Sequence, residues 1–165
     1  MGVSGCGKSS VAEYLAGELR GHFKDGDELH PSCNIAKMVA GTPLTDEDRQ
    51  PWLAAVAEYA ATQARAHGIC VIACSALKRR YRQTLNKAGN VVYVFLEGSR
   101  ELIASRMSER TGHFMPDHLL ASQFAALEDP RTEGNVVTVS VDADIPSICR
   151  SVVLALHTQG FWPAR

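Results

Sequence analysis

Two periods of apolar residues run along this chain. "SVAEYLAGELRGHF" (Ser10–Phe23) carries its apolar positions at helical spacing, directly behind a glycine-rich opening. "HFKDGD" (His22–Asp27) is short and reads as a strand ending in acids. His30-Pro31 opens a second helix, with Pro31 suited to a first helical turn and Gly41 as its stop. Thr45 is a fair N-cap for a third, and Asp46, Glu47 and Asp48 complement its dipole. The alanine-rich stretch from Leu53 continues that helix to Gly68. Beyond it, "ICVIAC", "VVYVFL" and "VVTVSV" are continuous apolar runs of strand length. They alternate with "ALKRRYRQTLNKAG", "SRELIASRMSER", a helix from about Pro116 to Leu127, and "IPSICRSVVLALHTQ". Strands apolar on both faces, separated by helices, predict a parallel sheet covered on both sides, a three-layer α/β fold.

Length changes this picture little: 165 residues make one domain spanning 1–165, with no repeat or linker. A net charge of -1 disfavours a nucleic-acid partner. No apolar run approaches the ~18 residues of a membrane span. The absence of a basic leader predicts a cytoplasmic protein. The five cysteines include no CxxC pair. Cys70 and Cys74 fall on one face of one strand, so reduced core thiols are expected rather than disulfides or zinc.

The chemistry starts at Gly2. Gly2-Val3-Ser4-Gly5-Cys6-Gly7-Lys8-Ser9 matches GxxxxGK[ST] in full, followed by Ser10 and the first helix. In such a loop the backbone N–H groups and the positive helix end face phosphate oxygens. Lys8 reaches the β- and γ-phosphates and the Ser9 hydroxyl ligates Mg²⁺, so ATP and Mg²⁺ are the expected cofactors. Cys6 sits among these amides, where a helix N-terminus lowers a thiol's pKa; a tolerated small residue is the expectation. The strand that should carry the loop is reduced to Met1, which predicts a natural chain with four to six further apolar residues upstream.

A GTPase switch would need DxxG and NKxD, and neither occurs; "NKAG" (Asn86–Gly89) lacks the acid. A motor-type ATPase would end a middle strand in Asp, but "VIAC" runs into Ser75 and "VVYVFL" into Glu97. Instead, Asp25-Gly26-Asp27 stands at a strand end soon after the first helix, an arrangement suited to a small-molecule kinase. Asp25 is positioned to hold a metal-bound water. Asp27 is positioned to accept or orient the proton of an acceptor hydroxyl.

The stretch "DGDELHPSCNIAKMVAGTPLTDEDRQPWL" (Asp25–Leu53) resembles the gluconokinases, small P-loop kinases related to the shikimate kinases. "CSALKRRYR" (Cys74–Arg82), "GHFM" (Gly112–Met115) and "SQFAALEDP" (Ser122–Pro130) are similar to the same family, in the same order. Cys6 stands where Ser is usual there. The resemblance implies a P-loop kinase fold of about five parallel strands, the first truncated, with a mobile lid near residues 110–128. It implies ATP-dependent phosphorylation of the 6-hydroxyl of D-gluconate, no nucleic-acid or membrane partner, and an open question of a homodimer. Another sugar acid or shikimate is the alternative acceptor, and a non-catalytic nucleotide-binding module the third reading.

A linear polyol with one carboxylate calls for acids and amides at one end and cations at the other. His30, Asn34 and Lys37 have the spacing of one helix face. Arg49 is assigned to the carboxylate, since its planar fork binds bidentately. Ser75, Lys78 and Arg82 come after the end of a parallel strand, the edge where ligands sit in open sheets. Lys78 and Arg82 are four apart, while Arg79 and Arg80 are expected to face water. Arg106 and Arg110 are one helical turn apart, just before the lid segment "TGHFMP". One is expected to neutralise the transferring group and the other to stack on adenine, with the order left open. His113 is a candidate phosphate contact. Asp142 begins a stretch that is either an adenine-side loop or a helix-initiating turn. His22, His67, His118 and His157 are expected at the surface without partners.

Overall fold

The computed structural model of the chain describes residues 1–108 and 117–162. Among these residues four strands and seven α-helices follow in the order α1 (Lys8–Leu19), β1 (His22–Asp25), a 3₁₀ turn (Gly26–Leu29), α2 (Ser32–Val39), α3 (Asp46–His67), β2 (Cys70–Ala73), α4 (Arg79–Leu85), β3 (Tyr93–Glu97), α5 (Arg100–Ser108), α6 (Asp117–Ala126), β4 (Val136–Ser140) and α7 (Ile145–Thr158). A short 3₁₀ turn, Asn86–Ala88, extends α4.

The strands form two parallel pairs. β1 lies beside β2 with Asp25 opposite Ala73, and β3 lies beside β4 with Glu97 opposite Ser140. Met1 and Gly2 stand between the pairs. The Met1 amino group donates to the Val94 carbonyl at 2.6 Å, its carbonyl accepts from Leu96 N–H at 3.0 Å, and Gly2 N–H donates to Ser75 O at 3.1 Å. The expected five strands are therefore four among the described residues, and the loop's leading residues occupy the place of the fifth.

Each helix end shows its cause. Thr45 accepts from Asp48 N–H while the Asp48 carboxylate accepts from Thr45 N–H, a complete capping box. α3 runs on through Pro51, its sixth residue, which lies past the first helical bond from Arg49 N–H to Thr45 O and so forgoes one intrahelical donor. Asp144 caps α7 through Ser147 N–H, with Pro146 at the start of the helix.

The core has two parts. Val3, Val11, Leu15, Ile103, Val137, Val141 and Val152 pack between α1, α5 and α7 and the β3–β4 pair. Trp52, Leu53, Val56, Tyr81, Tyr93 and Phe95 pack under α3 and α4. Val3 and Cys6 face inward, so they give the loop its anchorage and contribute only main chain to its open side. All five cysteines are free, and burial pushes the Cys74 thiol up to about 11, as expected of core thiols. The described histidines do have partners: His22 bonds Tyr59 Oη at 2.7 Å and stacks on His67, and His157 stacks on Trp162. The side chain of His118 lies outside the described residues.

Candidate active site

The loop holds its shape through glycines. Gly5 and Gly7 have φ of 81° and 93°, and Gly7 forms the N-cap of α1 in the left-handed region. A Cβ at Gly2 would come within 2.9 Å of the Leu96 carbonyl, so this backbone passes too close to β3 for any side chain. The first helical bond is Val11 N–H to Gly7 O, which leaves the amides from Gly7 to Ser10 as the unpaired donors of the helix end. Lys8 folds its ammonium over the loop to the Val3 carbonyl at 2.9 Å. These features fit a triphosphate: a row of inward amides, a helix dipole and one mobile cation.

Beside this row the end of β1 delivers its acids. Ser9 Oγ donates to Asp25 Oδ2 at 2.9 Å, and Asp25 Oδ1 accepts from Asp27 N–H at 3.1 Å. Two hard oxygens adjoining the phosphate cradle are the donor chemistry Mg²⁺ prefers. Among the described residues no cluster of three or more His, Cys, Asp or Glu could hold a metal alone. Asp27 is an exposed residue, yet the proton affinity of its carboxyl is raised, first by desolvation and then by the Asp25 charge, with His30 and Lys8 opposing.

The turn carrying Asp27 is fixed from α3. Trp52 is buried and its indole N–H donates to Gly26 O at 2.7 Å. His30 stacks on the Trp52 ring with centroids 4.2 Å apart and planes 15° from parallel. Burial and the neighbouring Arg49 lower the His30 pKa, against the pull of Asp27, so the imidazole is neutral at pH 7. His30 thus lies within electrostatic reach of both Asp27 and Arg49. Arg49 anchors one end of its guanidinium on the Leu44 and Thr45 carbonyls.

Several expected substrate contacts are spent on structure. Asn34 is 1% exposed, and its amide donates to Asp48 O at 2.8 Å and meets His30 Nδ1 at 3.3 Å. It positions His30 from behind. Lys37 is held by both oxygens of Asp48, at 2.7 and 2.8 Å. The expected shared helix face fails because α2 starts at Ser32, leaving His30 outside it.

Arg82 is a correction. It is 0% exposed, and its guanidinium is satisfied inside the protein by Glu133 and by the carbonyls of Ala76, Leu77 and Glu128. The four-residue spacing from Lys78 does not operate, because α4 begins at Arg79 and Lys78 is an extended N-cap. Lys78 instead reaches both oxygens of Asp46, at 3.0 and 2.9 Å, where Arg80 and the Tyr81 hydroxyl also converge. Arg80, expected to face water, is thus an ion-pair partner. Ser75 reaches the loop through its main chain, accepting Gly2 N–H.

On the far side of the loop a cleft of about 380 Å³ is lined by Gly5, Cys6, Gly7, Arg106, Ala143, Asp144 and Ile145. Arg106 is steadied there by the Ala143 carbonyl at 2.7 Å. Asp142 is not in the lining; the three residues after it are, and Asp144 is the N-cap that starts α7, the helix-initiating turn of this stretch. Arg110 and His113 lie outside the described residues. A second cavity, about 360 Å³, lies between α1, α3 and the strands, with a mainly apolar lining in which Lys8 is the one charged side chain among the described residues.

A shikimate kinase family model matches residues 4–131. The chain is 41% identical over 155 residues to the thermoresistant gluconokinase of Escherichia coli K12, covering 93% of this chain and 89% of that one. It is 47% identical over 141 residues to the gluconokinase of Gluconobacter oxydans 621H, covering 85% and 79%. The crystal structure of a gluconokinase from Sinorhizobium meliloti 1021 superposes with a TM-score of 0.88 at 48% identity, covering 96% of this chain and 89% of that one.

Proposed function

The chain belongs to the gluconokinase family, within the wider shikimate-kinase-like group, and on that premise we propose that it transfers the γ-phosphoryl group of ATP to the 6-hydroxyl of D-gluconate. The observation that carries this reading is the meeting of Ser9, Asp25 and Asp27 at the edge of an amide-lined phosphate loop.

In this reading the amides from Gly7 to Ser10 and Lys8 bind the phosphates, and adenine lies in the cleft beside Arg106. Mg²⁺, when bound, would be held by Ser9 and, through water, Asp25, and would neutralise phosphate charge. Asp27 accepts the hydroxyl proton; its raised affinity suits a group that must take up a proton at neutral pH. Arg49 pairs with the substrate carboxylate and neutral His30 bonds a hydroxyl. Cytoplasmic placement is supported by five free thiols; no helix among the described residues is long and apolar enough to cross a membrane.

A coupled ADP-release assay with gluconate, other sugar acids, shikimate and no acceptor tests the proposal. Turnover that requires gluconate supports it. Equal ADP release without acceptor would make the chain an ATPase, and preference for shikimate would move it to the neighbouring branch.

A further inference from the structure

The stretch Ser122–Pro130 has so far no part in the chemistry. Gln123, in α6, spans 119 positions of sequence to the phosphate loop: its Oε1 accepts the Ser4 backbone N–H at 2.6 Å. Its base is firm. Leu120 is buried in the core, Glu128 N–H donates to Leu77 O at 2.9 Å, and the Glu128 carboxylate accepts Arg79 N–H at 2.6 Å. Buried Arg82 closes on the Glu128 carbonyl at 3.2 Å. α5 covers the next loop residue, since a Cβ at Gly5 would come within 2.6 Å of the Met107 side chain. The loop apex is thus held from both sides.

Ser4 lies three residues ahead of the Gly7 N-cap, outside the run of amides that the start of α1 leaves unpaired. An acceptor on Ser4 therefore does not compete with phosphate for that run. The geometry points to Gln123 as a positioning residue for ATP: it fixes the entry of the loop so that the remaining amides are ordered before the nucleotide arrives, reducing the entropy lost on binding. This assignment rests on the kinase reading.

Gln123→Ala tests it, with Gln123→Glu as the variant that keeps an acceptor oxygen. For Gln123→Ala, the KM for ATP and the Kd for AMPPNP should rise about three- to tenfold, the worth of one net hydrogen bond, with gluconate KM and kcat changed less than about twofold. By amide exchange, Ser4 N–H should lose protection in the alanine variant and keep it in the glutamate variant. Unchanged or tighter AMPPNP binding by Gln123→Ala would overturn the proposal, as would an equal rise in both KM values with a fall in Tm. AMPPNP binding and Ser4 exchange need no turnover. A wild-type chain inactive on gluconate but showing the Gln123 effects would sink the gluconate reading and leave this one standing.

Discussion

Ser9 Oγ and Asp25 Oδ2 stand 2.9 Å apart, so the first turn of α1 and the last residue of β1 converge on one oxygen pair. The loop supplies the hydroxyl, and the strand register that sets Asp25 against Ala73 supplies the carboxylate. Removing either oxygen should weaken the metal more than the nucleotide. Ser9→Ala and Asp25→Asn are each expected to raise the Mg²⁺ needed for half-maximal ADP release roughly 10- to 100-fold. A Mg²⁺ titration checks this, and an unchanged midpoint in both variants would place the metal elsewhere.

Asp27→Asn separates activity from stability. As the proton acceptor, Asp27 should account for roughly 10²- to 10⁴-fold in kcat, with KM for ATP little changed. Its pKa is raised on folding, so between the ordinary aspartate value and the raised one the folded state binds more protons than the unfolded chain. Stability then falls as pH rises through that window, and at pH 7 the charged group is a cost. Asn should therefore raise Tm slightly at pH 7, with the gain vanishing below the ordinary aspartate range. Thermal melts across pH decide; a lower Tm at pH 7 would contradict the assignment.

Arg49→Ala should raise the gluconate KM on the order of 10- to 100-fold, the worth of a charge-assisted pair, and leave the ATP KM alone. Arg49 anchors itself on Leu44 and Thr45 carbonyls, so Tm also belongs in the comparison. An unchanged gluconate KM would remove Arg49 from the carboxylate site.

Arg82→Ala should behave as a folding variant. It would leave Glu133, whose pKa Arg82 chiefly holds low, with only the exposed Arg79 as a cation at 3.5 Å, and buried carbonyls without donors. The expected loss is about 3–5 kcal/mol in denaturant unfolding. The fraction that stays folded should keep its gluconate KM. A large KM change with full stability would return Arg82 to the substrate site.

The readable parts of this molecule are those whose partners are close in sequence or fixed by backbone geometry. The phosphate loop, the Thr45 N-cap and the Asp25–Asp27 strand end each lie within a few residues, and their chemistry comes from spacing. Arg82 misled because its direction depends on Glu133, 51 positions away, and on α4 starting one residue after Lys78. Asn34 misled because Asp48 O, 14 positions on, takes its amide inward. Nothing near Trp52 in the chain gives it a role, though it holds the Gly26 carbonyl beside Asp27 from 26 positions away. For Gln123 the only signal is membership of the Ser122–Pro130 stretch; nothing local points to Ser4.

The most direct test of the account is a crystal structure with AMPPNP, Mg²⁺ and D-gluconate bound together. The gluconate 6-hydroxyl should lie within about 2.6–3.2 Å of the Asp27 carboxylate and in line with the γ-phosphate, with its own carboxylate on Arg49. Gluconate bound in the reverse sense, or away from Asp27 altogether, would contradict it.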